Sequence, residues 1–368
     1  MLQKTQKVAL LISTLGGGGA ERVCVIIANG LVDRGWDVDL VILKKLENDR
    51  AASLSTGVNL ICLGLQRARY AARSLRQYLR KVRPDVVLTF NNEMVVAEFF
   101  ASFARKRDYY LVHRNVTTLS SILFHAGGGL RNQIRYWFIK KVLLRVDLVV
   151  NQCKGMAKDT GRELSLKQSS FIYNPAGRDL NVPILERSPS TPIILCIGRI
   201  DRNKCIELAL QALALLSDYP ETEIWIVGEG EEKENVEKFA EKLRLSSRVK
   251  FLGFQRDPEQ LYKMASLVSL TSNFEGFPNV LVEAISHGCP IVAVDCPNGP
   301  SEIVVEGVNG FLVQQRTAES LASGYAKALE KDWDPKRIVE TADKFSDRKV
   351  LDQWHGILAK GLKYGSNQ

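Results

Sequence analysis

Short apolar runs alternate with helix-spaced segments along the whole chain. Residues 8–13, 37–43, 58–62, 85–90, 109–113, 148–151 and 170–172 are rich in Val, Ile and Leu and bounded by polar residues or glycine. That is the pattern of strands covered on both faces, as in a parallel sheet. Between them, residues 20–34, 69–82 and 94–103 repeat apolar positions at helical spacing. The scheme restarts at 193–197 and continues at 223–227, 249–252, 267–270, 291–294 and 310–312. Strand–helix alternation of this kind predicts an α/β protein of two doubly wound, Rossmann-like domains. Pro183, Pro189 and Pro192 lie in a polar stretch that suits a linker. The expected division is therefore a first domain at 1–174, a linker at 175–192, a second domain at 193–346 and a final helix at 347–368. In that helix Val350, Leu351, Trp354, Ile357 and Leu358 recur at helical spacing and suit packing on either domain. Two such domains facing each other would leave a cleft, with ligands beyond the carboxyl ends of the strands.

Composition narrows this picture. With 368 residues, 45% hydrophobic and 25% charged, the chain has material for two ordinary globular cores. No run approaches about 18 consecutive apolar residues, so no membrane span is expected. The polar first residues lead straight into a strand rather than a cleavable leader, which predicts a cytosolic location. Cysteines 24, 62, 153, 196, 205, 289 and 296 form no Cys-x-x-Cys pair and read as reduced thiols, not a disulfide framework or zinc site.

The net charge of +9 is uneven. Residues 1–180 hold 28 Lys and Arg against 14 Asp and Glu, and the remainder holds 22 against 27. The first domain is thus expected to face something anionic. No nucleic-acid motif accompanies the charge, which turns the expectation from nucleic acid to an anionic membrane surface or a lipid phosphate. Arg69, Arg73, Arg76, Arg80 and Arg83 make one cationic stripe at helical spacing. Residues 131–145 mix cations with Tyr136, Trp137 and Phe138, and follow an apolar loop at 121–129. Together they predict a peripheral protein on the inner face of the cell membrane.

Three segments carry candidate chemistry. Thr14-Leu-Gly-Gly-Gly-Gly-Ala-Glu-Arg22 joins the first strand to a helix. Its glycines let backbone amides approach an anionic ligand at a helix N-terminus. It matches neither Gly-x-Gly-x-x-Gly nor a Gly-Lys-Ser/Thr loop. In Ile197-Gly-Arg-Ile-Asp-Arg-Asn-Lys204, Arg199 and Lys204 flank a strand-to-helix turn, where a guanidinium and an ammonium can converge on a diphosphate. Asn273-Phe-Glu-Gly-Phe-Pro-Asn-Val-Leu-Val-Glu283 follows another strand. Pro278 suits a helix start there, Asn279 to Leu281 would present free amides, and Glu275 and Glu283 would meet sugar hydroxyls. Glu283 lies in an apolar run, where an unpaired carboxylate is costly.

With these motifs the chain resembles the retaining glycosyltransferases of family 4, which have the GT-B fold. The resemblance rests on Gly18-Gly-Ala-Glu-Arg22, Gly198-Arg199 with Lys204, Gly228-Glu-Gly230 and Glu275-Gly-Phe-Pro with Glu283. Gly288-Cys-Pro-Ile-Val-Ala-Val-Asp295 and Gly299-Pro-Ser-Glu-Ile303 extend it over nearly the full length. It implies that Arg199 and Lys204 bind the donor diphosphate, that Glu283 holds the ribose, and that Glu275 contacts the donor sugar. It implies further that Gly276, Phe277, Pro278, Asn279, Val280 and Leu281 surround sugar and phosphate, and that Gly17, Gly18 and Gly19 approach the donor from the first domain. His113 matches a histidine near the donor sugar; a structural role at a strand end is the alternative. The implied reaction is transfer with retained anomeric configuration from a nucleotide-sugar, a UDP-sugar by the look of Pro297-Asn-Gly-Pro-Ser-Glu302, with GDP-mannose the other candidate. A hexose or N-acetylhexosamine would pass to a polyprenyl-diphosphate-linked saccharide, in surface polysaccharide or O-antigen assembly. No cofactor and no metal are expected.

Asp37-Val-Asp39 has the spacing of a metal motif, but reads as the solvent-facing side of an alternating strand. His287 is expected to close a helix, and His125 and His355 have no catalytic neighbours in sequence. Two other functions fit the pattern: a sugar-nucleotide epimerase of the same fold, and a non-catalytic nucleotide-sugar-binding scaffold.

Overall fold

A computed structural model describes residues 5–46, 50–103, 106–120, 129–165, 169–180 and 191–365. Residues 121–128 of the expected apolar loop, with His125, and 181–190 of the expected linker lie outside the described residues. The chain divides into two compact units, one of Met1–Gly177 with Asp347–Gln368 and one of Arg178–Ser346.

Unit 1 is built on seven parallel strands: β1 (Lys7–Ile12), β2 (Asp37–Ile42), β3 (Val58–Cys62), β4 (Val86–Thr89), β5 (Tyr110–Arg114), β6 (Leu148–Asn151) and β7 (Ser170–Phe171). They lie in the order β3-β2-β1-β4-β5-β6-β7. Its helices include α1 (Gly19–Val32), α2 (Ala71–Val82), α3 (Asn92–Ser102), α4 (Leu130–Leu143) and α5 (Lys154–Leu164). Unit 2 carries β8 (Ile193–Ile197), β9 (Glu223–Val227), β10 (Val249–Gly253), β11 (Leu267–Leu270), β12 (Ile291–Val294) and β13 (Gly310–Val313) in the order β10-β9-β8-β11-β12-β13. Its helices are α6 (Ile206–Ala214), α7 (Lys233–Lys242), α8 (Glu259–Met264), α9 (Asn279–Ser286), α10 (Pro300–Ile303), α11 (Ala318–Glu330) and α12 (Pro335–Thr341). In each sheet the strand order reverses once, between β1 and β4 and between β8 and β11. Connections leave in opposite directions at such a switch point and open a crevice at the carboxyl edge.

Strand side chains alternate between two covered faces. In β1, Val8, Leu10 and Ile12 join one core with Val23, Ile27 and Leu31 of α1, while Ala9 and Leu11 join another with Leu75, Leu79, Met94 and Ala97. The first core is completed from far along the chain. Helix α13 (Asp347–Gly365) contributes Val350, Leu351, Trp354 and Leu358 to it. Arg34 bridges Asp352 at 2.7 Å, and the Trp36 indole donates to His355 Nδ1 at 3.0 Å. Gly30 allows the approach, since a Cβ there would sit 2.4 Å from Leu351 Cδ1.

Two expectations are corrected here. Asp39 does not face solvent: it is 1% exposed, because β2 lies inside the sheet and both sheet faces are covered. Its carboxylate accepts from Tyr78 at 2.6 Å and from Asn59 at 3.0 Å, and pairs with Lys7 at 3.1 Å. Only Asp37 is exposed. Nor is the arginine stripe uniformly free. Arg76 donates at 2.8 Å to the carbonyls of both Phe100 and Ala101, satisfying the end of α3.

Trp354→Ala should lower the stability of unit 1 by about 3–5 kcal/mol through lost burial and a cavity. Gly30→Val should destabilise by about 1–3 kcal/mol through overpacking. Urea unfolding followed by circular dichroism checks both, and an unchanged midpoint in either would contradict this packing.

Candidate active site

The switch point of unit 2 gathers the charged residues singled out from the sequence. After β8 the chain turns at Gly198, where it runs backbone to backbone against the end of β9. A Cβ at Gly228 would stand 1.9 Å from the Gly198 oxygen, so no larger residue fits without moving the loop. Asp201 then folds the turn, its carboxylate accepting from the amides of Asn203 (3.0 Å) and Lys204 (3.2 Å). Cys205 follows in the left-handed region at φ 46, a conformation that costs a non-glycine residue about 1–2 kcal/mol. Neighbouring bonds hold it: Thr271 Oγ1 donates to the Lys204 carbonyl at 2.7 Å, and Asn273 Nδ2 lies 2.9 Å from Cys205 Sγ.

The loop after β11 is tied to the same turn. The Asn273 amide donates to the Asn203 carbonyl (2.8 Å), and Asn203 Nδ2 donates to the Phe274 carbonyl (3.1 Å). These bonds bring Lys204 Nζ within 2.7 Å of Glu275 Oε1, with side chains 21% and 12% exposed. Arg199 stands exposed on the same turn. Arg316, which the sequence reading missed, donates to the carbonyls of Ser272 at 2.6 Å and Thr271 at 2.7 Å and so anchors the end of β11. It is far away in sequence and carries no local motif.

From this loop Gly276, Phe277 and Pro278 lead into α9, where Asn279, Val280 and Leu281 form the first turn. Phe277 is buried and packs edge-on to Phe345 at 5.7 Å. The Leu281 amide is not free, as it donates to the Pro278 carbonyl at 3.0 Å; short helices tighten their first turn this way. One turn on, Glu283 accepts from the Tyr262 hydroxyl at 2.8 Å. Tyr262 stacks on His287, whose Nδ1 lies 2.8 Å from the Glu283 carbonyl. A carbonyl only accepts, so Nδ1 donates, and burial holds this imidazole below its ordinary pKa.

In unit 1, Gly17, Gly18 and Gly19 lie exposed where β1 passes into α1, and Gly18 precedes the helix in extended conformation. His113, near the end of β5, is fully buried. Its Nδ1 is 2.8 Å from Thr89 Oγ1, and its Nε2 has no hydrogen-bond partner among the described residues. Burial first, and the neighbouring Arg114 second, push its pKa down to about 3, so the ring is neutral at physiological pH. A separate buried polar network begins at the next residue. Arg114 donates to Asn174 (2.6 Å), Asn174 to Gln152 (2.7 Å), Gln152 to the Asn115 carbonyl (3.1 Å) and Asn115 to Asn151 (3.0 Å). Arg114 also lies 5.4 Å from the centroid of Phe90, and desolvation holds it down at about 10.

Among the described residues no group of three His, Cys, Asp or Glu side chains is placed to hold a metal ion.

Residues 18–177 match the family described as Glycosyl transferase 4-like domain, and residues 178–345 match Glycosyl transferases group 1. The chain is 25% identical over 346 residues to the N-acetylgalactosamine-N,N'-diacetylbacillosaminyl-diphospho-undecaprenol 4-alpha-N-acetylgalactosaminyltransferase of Campylobacter jejuni, covering 89% of this chain and 91% of that protein. It is 24% identical over 357 residues to the lipopolysaccharide 1,6-galactosyltransferase of Escherichia coli K12, covering 91% and 88%. Among solved structures, the Anabaena protein HepE in complex with UDP-glucose aligns at a TM-score of 0.77 with 22% identity, covering 96% of this chain and 99% of that one. Two parallel Rossmann-like sheets of this kind make up the GT-B fold of glycosyltransferases. The chain belongs to the family 4 glycosyltransferases, on matches that together run from residue 18 to residue 345.

The depressed His113 pKa has a consequence for stability. An unfolded chain protonates this imidazole near pH 6.5 while the native state resists until about 3, so the unfolded state binds more protons in between. Stability should therefore fall as pH drops from about 6.5 toward 3, and His113→Asn should flatten that fall. Burial raises the pKa of Glu98, and the resulting tilt has the opposite sign and is present in both proteins. Urea midpoints at pH 7 and pH 4.5 test this; equal slopes in both proteins would contradict it.

Proposed function

We propose that the chain is a retaining, metal-independent transferase that moves a hexose or N-acetylhexosamine from a UDP-sugar to a lipid-linked saccharide. The observation that carries this reading is the Lys204–Glu275 pair at 2.7 Å, formed by the two loops that meet at the switch point of unit 2. In this proposal residues 193–346 take the donor and residues 1–174 the acceptor. Arg199 and Lys204 receive the diphosphate and neutralise it as the bond from sugar C1 to the phosphate oxygen breaks. Glu275, oriented by Lys204, accepts hydrogen bonds from sugar hydroxyls, and Glu283, oriented by Tyr262, accepts from the ribose. The backbone from Gly276 to Leu281 lines the sugar and phosphate. On unit 1, Gly17, Gly18 and Gly19 offer their amides, and neutral His113 a ring nitrogen, to substrate. The acceptor oxygen attacks C1 from the face the diphosphate leaves, and its proton passes to the departing phosphate oxygen. The chain supplies positioning and charge stabilisation.

An exposed surface of mixed apolar and cationic side chains supports a lipid-linked acceptor. Leu130, Ile134, Trp137 and Leu144 are exposed at helical spacing along α4 and just beyond its end. Arg131, Arg135, Lys140, Lys141 and Arg145 stand among them, with Lys141 Nζ 5.6 Å from the centre of the Trp137 ring. Apolar and cationic side chains mixed in this way suit an anionic lipid surface.

Nucleotide release in EDTA, from a panel of UDP- and GDP-sugars with and without extracted lipid-linked acceptor, tests the reaction. Acceptor-stimulated release from one UDP-sugar is expected, with kcat lowered about 10²–10³-fold in Lys204→Ala and Glu275→Ala. Conversion of a sugar nucleotide to its epimer without acceptor would sink the transferase reading. For the surface, Ile134→Asp with Trp137→Asp should abolish co-sedimentation with vesicles containing anionic lipid; undiminished binding would refute that placement.

A further inference from the structure

Unit 1 carries cavities at both edges of its sheet. One of about 590 Å³ lies at the carboxyl edge where β1 and β4 part, with Lys44, Arg67, Arg69 and Arg135 beside the rings of Phe100 and Phe138. The other, of about 440 Å³, lies at the amino edge, among residues that end α2 and α3 and precede β5. Neither donor nor acceptor of the proposed reaction calls on it. Arg76, Arg80, Arg83, Lys106 and Arg107 line it, against the single carboxylate of Asp108.

Helix ends account for part of this charge. Carbonyl termini attract cations, and each of the two helix ends amounts to about half a negative charge. Arg107 also has a carboxylate of its own, Asp147, at 3.2 Å. Setting these and Asp108 against the five cations leaves about two positive charges, or about one if Glu98, bonded to the Tyr109 hydroxyl at 2.6 Å, is counted too. Arg80, Arg83 and Lys106 form no ion pair with any described residue. Arg107 Nη1 is buried and has no hydrogen-bond partner among the described residues, a donor with nothing to donate to. A round cavity of this volume is about 9 Å across, close to the screening length of about 8 Å at physiological salt, so these cations act together on one guest.

We propose that this cavity binds a phosphate-bearing anion of two or more charges, a free diphosphate or the phosphate headgroup of a lipid. It requires neither the transferase reading nor the surface along α4. Four of the five cations are arginines, whose planar forks match phosphate oxygens in pairs. Two of these are fixed beforehand: Arg76 by the carbonyls of Phe100 and Ala101, and Arg107 by the Arg145 carbonyl at 2.7 Å. A guanidinium already held in place removes part of the ordering cost of binding. Arg80, Arg83 and Lys106 are exposed and complete the site as mobile charges. Apart from Tyr109, the apolar lining is Leu79 and Ala101, too little to seat a hydrocarbon chain, so the guest is recognised by its phosphate.

Calorimetric titration of pyrophosphate into the full chain at physiological salt tests this, with circular dichroism as the check on folding. A site is expected that Lys204→Ala leaves intact and that the combined Arg80→Gln, Arg83→Gln, Lys106→Gln substitution weakens at least about tenfold. Arg107→Lys keeps the charge without the fork and should cost about threefold or more. Sulfate should bind at least about tenfold more weakly than pyrophosphate. No binding of pyrophosphate, or an affinity lost in Lys204→Ala and unchanged in the triply substituted chain, would overturn the site. Sulfate held as tightly as pyrophosphate, with Arg107→Lys unchanged, would overturn it in favour of a diffuse cationic surface. If Arg107→Lys does not fold, the triply substituted chain decides alone. Phosphatidylcholine vesicles carrying phosphatidate distinguish the sources. Displacement of the chain from them by pyrophosphate, with weaker binding after the triple substitution, would support the site and assign the phosphate to a lipid. Vesicle binding untouched by both, with pyrophosphate still held in solution, would support the site and assign it to a free anion.

Discussion

A parallel sheet must be re-entered from the same end for every strand, so each strand delivers its following loop to one edge. That constraint organises both units. At the single reversal of strand order the flanking connections diverge, and the residues just past the two central strands face a gap rather than each other's helices. In unit 2 those residues are 198–204 and 271–279, and in unit 1 they are 13–19 and 90–93. Both the ion pair of Lys204 with Glu275 and the larger cation-lined cavity of unit 1 lie at such a place.

The two edges are furnished differently. In unit 2 Lys204 and Glu275 are already paired, and the loops that hold them are fixed by backbone carbonyls: Lys204 by Thr271, Asn203 by Asn273, and the end of β11 by Arg316. Such a site changes little when it meets a fixed ionic group, because its dipoles are in place beforehand. In unit 1 the cavity cations Lys44, Arg67, Arg69 and Arg135 are more numerous and stand beside the rings of Phe100 and Phe138. A surface of that kind adapts to a ligand whose length and headgroup vary, at the cost of ordering several flexible side chains.

Local pattern carried most of the fold. The strands at 148–151, 193–197, 223–227, 267–270 and 291–294 stand where their apolar runs place them, since a strand covered on both faces needs little beyond such a run. The site was legible where glycine and charge cluster in sequence, as at 198–204 and 273–283. It was illegible where the partner is distant. Arg114 meets Asn174, Tyr78 meets Asp39 and Arg316 meets Thr271 across gaps that no periodicity records. The same holds for α13: its apolar stripe was evident, but amphipathicity says only that a face is covered, not by which domain.

The return of α13 to unit 1 makes unit 2 an insertion, in the topological sense, between two parts of one core. A ribosome delivers those parts far apart in time. All of β1 to β7 emerges before Trp354, Leu351 and Leu358, so the apolar face of α1 that they cover stays open while residues 178–346 are synthesised. Unit 2, contiguous in sequence, has every strand it needs as soon as β13 and α12 are out. The half of the enzyme made second is thus the first able to close its core, and the half made first must wait with apolar surface uncovered, the condition in which nascent chains call on chaperones.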